Sequence, residues 1–246
     1  LGIFHCLTYR DYVLVSPTCT MFRTDLALSL ENNLVLRCLH VPEDYRILNE
    51  AYERIEQSNG ALTTIVLGPG DHVVEEDEDG YNYLNIKCPV NIVGSPDVLD
   101  KSTIIVQGGF KITDTANGVH VEHLTIRGSS ECGVYGYSSF TLNDLIIEQC
   151  GEEGVYASGS STIGRCCNVV SRKCQLSGVC ASSGASIILE GRETSIYENC
   201  SGGSSDYYGL KVHGTSSKIQ IVSPLTKESI SRGNKRGGGL GWEWYN

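Results

Sequence analysis

Four segments repeat one pattern. They are Gly133-Val134-Tyr135-Gly136-Tyr137-Ser138, Gly154-Val155-Tyr156-Ala157-Ser158-Gly159, Gly178-Val179-Cys180-Ala181-Ser182-Ser183 and Gly209-Leu210-Lys211-Val212-His213-Gly214. Their glycines lie 21, 24 and 31 residues apart. Self-similarity at a period of roughly 20–50 residues marks stacked units. The shorter spacings suit one coil of short strands, and the third interval carries an insertion. Inside each segment, apolar or small residues alternate with polar ones, the period-2 pattern of a strand with one buried face. Val134, Val155, Val179 and Leu210 therefore fall on the inner face. Two columns face outward: Tyr135, Tyr156, Cys180 and Lys211, then Tyr137, Ser158, Ser182 and His213.

Counting back from each glycine extends the alignment. Ser129, Cys150 and Cys174 stand four residues before three of them, and Cys200 takes the equivalent place before the insertion. Stacked coils put equivalent side chains one strand spacing apart, about 4.8 Å, so these predict an interior ladder of small side chains. Two residues earlier stand Arg127, Glu148, Arg172 and Glu198, alternating in sign from coil to coil. Opposite charges on neighbouring strands stabilise a sheet, so a second, charged ladder is expected outside.

Upstream, Leu62–Leu67, Tyr83–Ile86, Val90–Val93, Thr103–Val106 and Val119–Ile126 read as strands. Turns at Gly68-Pro69-Gly70, Pro89, Gly94-Ser95-Pro96 and Gly108-Gly109 separate them. No helices of ten residues intervene, which argues against a βαβ sheet. The expected fold is all-β, a right-handed parallel β-helix solenoid with N-terminal capping helices, coiled from about Leu62 to about Val222. Residues 44–58 read as a cap helix, with Ile47, Leu48, Ala51, Tyr52 and Ile55 on one face, Asp44 as N-cap and Asn59-Gly60 as the stop. The domain plan is a short helical segment over 1–40, the β-helix with its cap over 41–228, and a Gly-rich tail over 229–246.

Composition limits function. The chain has 246 residues, 28 Gly, 11 Cys and a formal net charge of −10. Such a chain repels phosphate backbones, and no basic patch offsets this, so nucleic acid is not an expected partner. No stretch approaches the length of a membrane span. The acidic run Glu75–Asp79 reads as a solvated loop and lacks the alternating pattern of a calcium loop. The cysteines form no CxxC pair and are odd in number. They read as free, small, buried residues of a reducing compartment, placing the protein in the cytoplasm or nucleus. No cofactor and no metal are expected.

Val41-Pro42-Glu43-Asp44-Tyr45, followed by Leu48, Ala51, Ile65-Val66-Leu67, Pro69-Gly70 and Val90-Asn91-Ile92-Val93-Gly94, resembles the opening of pectin-lyase-like β-helix proteins. The resemblance covers about 41–228 and implies the fold, while that superfamily spans enzymes, adhesins and recognition modules. Ile3-Phe4, Leu7, Asp11, Val15, Cys19, Phe22 and Arg23 resemble the latter half of an F-box, without its usual opening Leu-Pro segment. This implies contact between residues 1–25 and a Skp1-like adaptor, with the solenoid recognising a protein; the other reading is a set of capping helices.

Galacturonan hydrolases of the superfamily carry an Asn-Thr-Asp strand, an Asp-Asp pair and a Gly-His-Gly turn, and none of these strings occurs here. Asp206, Lys211 and His213, beside Tyr207 and Tyr208, are the nearest catalytic candidates, weakly supported by one His near a Tyr pair. The expected binding face is Tyr135, Tyr137, Tyr156, Lys211 and His213, because each tyrosine offers apolar area and a hydroxyl. The leading expectation is a non-catalytic recognition or scaffold solenoid. The alternative is a carbohydrate-active lyase, hydrolase or epimerase acting on an acidic glycan.

Overall fold

The computed structural model describes residues 38–202 and 207–235, and the backbone of 242–244. The chain is a parallel β-solenoid of about seven turns, 43% strand and 9% helix. Three ladders run along it. The first stacks β1 (Cys38–Val41), β2 (Thr64–Leu67), β5 (Asn91–Gly94), β8 (Val119–Arg127), β10 (Phe140–Glu148), β12 (Ile163–Cys167), β15 (Ser186–Glu190) and β18 (Lys218–Ile221). The second stacks β3 (Gly70–Val73) and β6 (Ile104–Gln107) on the distal halves of β8 and β10, then β13 (Val170–Arg172), β16 (Ser195–Tyr197) and β19 (Ser231–Arg232). The third is a separate sheet: β4 (Tyr83–Ile86), β7 (Gly109–Ile112), β9 (Val134–Gly136), β11 (Val155–Ser158), β14 (Val179–Ser182), β17 (Leu210–His213) and β20 (Trp242–Trp244).

The register confirms the inner column. Val134 pairs with Val155, Val155 with Val179 and Val179 with Leu210, and Phe110 precedes them. Around that column Ile65, Ile92, Val121, Leu142, Cys166 and Ile187 fill the coil interior without exposure. Each fully buried aliphatic side chain of this size contributes about 1.5–3 kcal/mol, which makes burial the leading favourable term. No helix among the described residues is long and apolar enough to cross a membrane.

The corner between the first two ladders uses a special backbone. β8 and β10 turn it at His123 (φ 55°) and Asp144 (φ 52°), and the next coil turns at Asn168 (φ 54°). His, Asp and Asn are the non-glycine residues that most readily enter this left-handed region.

Several expectations are corrected. Cys38, Leu39 and His40, assigned to the helical segment 1–40, belong with Val41 to a strand paired with β2; residues 1–37, with the F-box-like stretch, lie outside the described residues. The helix α1 spans Leu48–Gln57, shorter than 44–58. Asp44 does not cap it, because its carboxylate accepts a hydrogen bond from His40 N at 2.8 Å, and Ile47 holds the N-cap position without a side-chain bond. The buried face of α1 is Leu48, Ala51, Tyr52 and Ile55. The Gly-rich tail 229–246 is not all tail. A short helix α2 (Lys227–Ile230) leads into β19, and β20 pairs with β17.

The outer charged ladder holds for three members and slips at the fourth. Arg127 pairs with Glu148 and Glu148 with Arg172, but Arg172 pairs with Tyr197, not Glu198. The same slip puts Asn199, rather than Cys200, after Ser129, Cys150 and Cys174 in the interior ladder. The Asn199 side-chain oxygen accepts from Cys174 N at 3.1 Å, and Asn234 repeats this toward Asn199 N at 3.0 Å. An amide can bond the backbone above and below, which a thiol does poorly. Cys200 remains buried, and all nine described cysteines are free thiols.

Glu148 is only 4% exposed. It accepts from Arg127 Nε at 2.6 Å and from Arg172 Nε at 2.7 Å, while Arg172 Nη1 donates to the Tyr197 hydroxyl at 3.0 Å. Burial alone would raise the carboxyl's pKa; the two guanidinium groups together outweigh it and hold the group below its ordinary value. Glu148→Gln is expected to destabilise the solenoid by about 1–3 kcal/mol in urea unfolding. Glu198→Gln, outside the ladder, should change stability by no more than about 0.5 kcal/mol. Equal effects would contradict this register.

Candidate functional site

The outer surface of the third ladder gathers three tyrosines. Tyr135 and Tyr156 are register partners on β9 and β11, and Tyr137 follows β9. The rings of Tyr135 and Tyr137 stack with centroids 4.6 Å apart, and Tyr135 meets Tyr156 edge-on at 4.8 Å. Tyr137 donates a hydrogen bond to the Tyr135 hydroxyl at 2.7 Å. Burial is the largest cause raising the Tyr135 pKa, and burial likewise raises that of Tyr156. Both hydroxyls therefore stay protonated at neutral pH. Tyr137 is the outermost ring, 39% exposed. The cluster is rigid because each ring is fixed by another ring or by the sheet, so little side-chain entropy remains to be lost when something docks on it.

The rest of the expected face is divided. Cys180 sits in register between Tyr156 and Lys211 and is 2% exposed, so that column does not run on as an open surface. Lys211 places its ammonium 4.2 Å from the centre of the Tyr207 ring. His213 is exposed, and its Nδ1 lies 3.3 Å from the Ser182 hydroxyl. Lys211 and His213 occupy their predicted outward positions on β17, while Asp206 lies outside the described residues.

A second polar site was not anticipated. At the corner between the first two ladders an open cleft of about 400 Å³ is lined by Asp100, Lys101, His123, Asn143, Asp144 and Glu193, among others. Asp144 accepts from Lys101 Nζ and from His123 Nδ1, each at 2.6 Å. His123 Nε2 stands 2.7 Å from the Val98 carbonyl oxygen. Both ring nitrogens thus face acceptors, and a histidine can satisfy both only as the imidazolium. The hydrogen bond from His123 is the largest cause holding Asp144 well below the usual carboxylate range, against its partial burial. These residues are 21 to 43 positions apart, and only the stacked corner joins them. The one trace in the sequence is the column His123, Asp144 and Asn168, three left-handed-tolerant residues at coil spacing.

Compared with protein-family models, with curated proteins and with solved structures, the chain shows no match in any of the three. The site is therefore read from its own geometry.

The Asp144 cluster carries a pH signature. A depressed folded-state pKa contributes stability that is complete above the unfolded value, about 3.9, and is lost as pH falls through the folded value. Asp144→Asn is expected to cost about 1–3 kcal/mol at pH 7. The gap to the parent should narrow between about pH 4 and pH 2, as measured by urea unfolding at each pH. A gap independent of pH would contradict the assigned charge state.

Proposed function

We propose that this solenoid is a non-catalytic recognition module that binds a protein partner on the outer face of its third ladder. The observation that carries the reading is the tyrosine cluster: three rings in mutual contact, presenting apolar area and hydroxyls on the outer side of the third ladder. Tyrosines of this kind dominate protein-binding surfaces because they add large contact area with few rotatable bonds. Lys211 and His213 supply a polar margin beyond Cys180, of the sort found around the centre of an interface.

The finer reading is a right-handed, pectin-lyase-like β-helix serving as the substrate-recognition part of an F-box ubiquitin-ligase subunit. Right-handed winding is supported by the general handedness of parallel crossovers, about 98% of cases. The F-box-like residues within 1–25 would hold a Skp1-like adaptor. The nine cysteines among the described residues, all free thiols, support an intracellular setting.

The test is a photo-crosslinking amino acid at Tyr137 in cells making the full chain, followed by binding of the purified captured protein. Tyr156→Ala and Tyr135→Ala are each expected to weaken that binding at least about tenfold, the size of an interface hot spot. Deleting residues 1–25 should abolish adaptor capture and leave the Tyr137 adduct. Depolymerisation of an acidic glycan by the purified chain, or binding unaffected by the tyrosine substitutions, would overturn the reading.

A further inference from the structure

The corner between the second and third ladders holds Glu131-Cys132 on one coil and Glu152-Glu153 on the next. The pairing of Val134 with Val155 sets Cys132 over Glu153 and Glu131 over Glu152. Gly133 N donates to Glu153 O at 2.9 Å and Glu152 N to Glu131 O at 3.0 Å, so the backbone fixes this overlap. Cys132 Sγ lies 3.7 Å from Glu152 Oε2 and 3.6 Å from Glu153 Oε2, and the three atoms fall within 4.8 Å of one another. Tetrahedral zinc, with Zn–S about 2.3 Å and Zn–O about 2.0 Å, requires a sulfur–oxygen separation of about 3.5 Å. Both carboxylate oxygens already stand near that distance from the sulfur, within reach of a hydrogen bond donated by the thiol.

A solvated acidic patch does not account for this corner. Cys132 is 1% and Glu153 5% exposed. Burial, and then the Glu152 charge, lift Glu153 to about 7. Among the described residues no Lys or Arg forms an ion pair with Glu152 or Glu153; Lys211 influences Glu153 only as a more distant charge.

A separate observation comes from Tyr83. It occupies the register position of Gly109 and, one coil on, Gly133, and its ring fills the space where a Gly109 Cβ would stand. That path carries its hydroxyl to the same corner, beside Ser129, Glu131 and Cys132. Tyr83 is 6% exposed, and its buried oxygen lies near Ser129 Oγ, Glu131 and Cys132 without forming a well-aligned hydrogen bond to any described residue; Ser129 Oγ shares that state. A buried hydroxyl without a well-aligned hydrogen bond costs up to about 1–3 kcal/mol, so its retention at this corner points to a further group that it bonds.

We propose that Cys132, Glu152 and Glu153 form a site for a thiophilic divalent cation of the zinc class, with the Tyr83 hydroxyl directed at it. One thiolate and carboxylate oxygens suit zinc, whereas calcium and magnesium select all-oxygen sets. The ligands come from two successive coils, so the ion staples one to the other. Tyr135 and Tyr156 lie three residues beyond Cys132 and Glu153, and the staple fixes the strands that carry them.

The test titrates the metal-free full chain with Co²⁺, then Zn²⁺. A thiolate-to-cobalt absorption band in the near ultraviolet is expected, displaced by Zn²⁺ and not by Ca²⁺. Cys132→Ala should abolish the band. Glu152→Gln, at a half-buried position that a Gln fits, should weaken Zn²⁺ binding more than about tenfold with an unchanged far-ultraviolet circular dichroism spectrum. A band that survives Cys132→Ala, Zn²⁺ affinity unaltered by Glu152→Gln, equal binding of Ca²⁺, or no binding of either metal would overturn the proposal.

Discussion

At Gly133, Gly154, Gly178 and Gly209 the second and third ladders approach too closely for any side chain. A Cβ would overlap Ile147 at Gly133, Ser171 at Gly154, Ile196 at Gly178, and Ser231 and Asn234 at Gly209. The constraint is steric contact across a narrow corner, and none of these four needs a left-handed backbone. Because glycine alone fits at these four positions, each of these coils presents one at the same level, and that fixes where its strand begins. Val134, Val155, Val179 and Leu210 then follow inward and the tyrosines outward by simple alternation. The glycines thus set the register on which the ladders, the tyrosine cluster and the Cys132 corner all depend.

Burial and polar ladders divide the remaining work. The aliphatic interior supplies most of the favourable free energy, but a column of similar aliphatics tolerates slippage along the stack. Specific polar contacts oppose it. Glu148 bridges two arginines from the coils on either side, and Asn199 and Asn234 bond backbone groups of neighbouring coils. Each such contact is a modest net term, yet leaving its partners buried and unpaired is costly, so misregistered stacks are penalised.

Much of this was legible in the sequence. Glycine spacing and alternation sufficed for the solenoid, the inner column, the interior thiols Cys150 and Cys174 and the outward tyrosines. Counting failed at Glu198 and Cys200, because aligning Cys200 with Cys174 ignored that Asn199 can serve the same ladder position through its amide. It also failed at Cys38–Val41 and in the tail, where single strands lie beyond the recognisable repeat. The corner residues His123, Asp144 and Lys101 were missed because alternation says nothing about bends. Cys132 and Glu153 were missed differently: the alignment that stacked Val134 on Val155 already stacked them, but the cysteines were read only as small buried residues and Glu153 was given no role.

The functional reading joins these levels, since a rigid tyrosine surface needs strands that cannot slide. That register is tested most directly by pulsed dipolar spectroscopy with spin labels carried on unnatural amino acids at Asn85 and Lys211. Both belong to one outward column of the third ladder, running through Lys111, Tyr135, Tyr156 and Cys180. Five strand spacings separate them, so a narrow distribution centred near about 24 Å, broadened by the label arms, is predicted. A centre below about 15 Å or above about 35 Å, or a distribution as wide as that of an unstructured chain, would contradict the stacked-coil account.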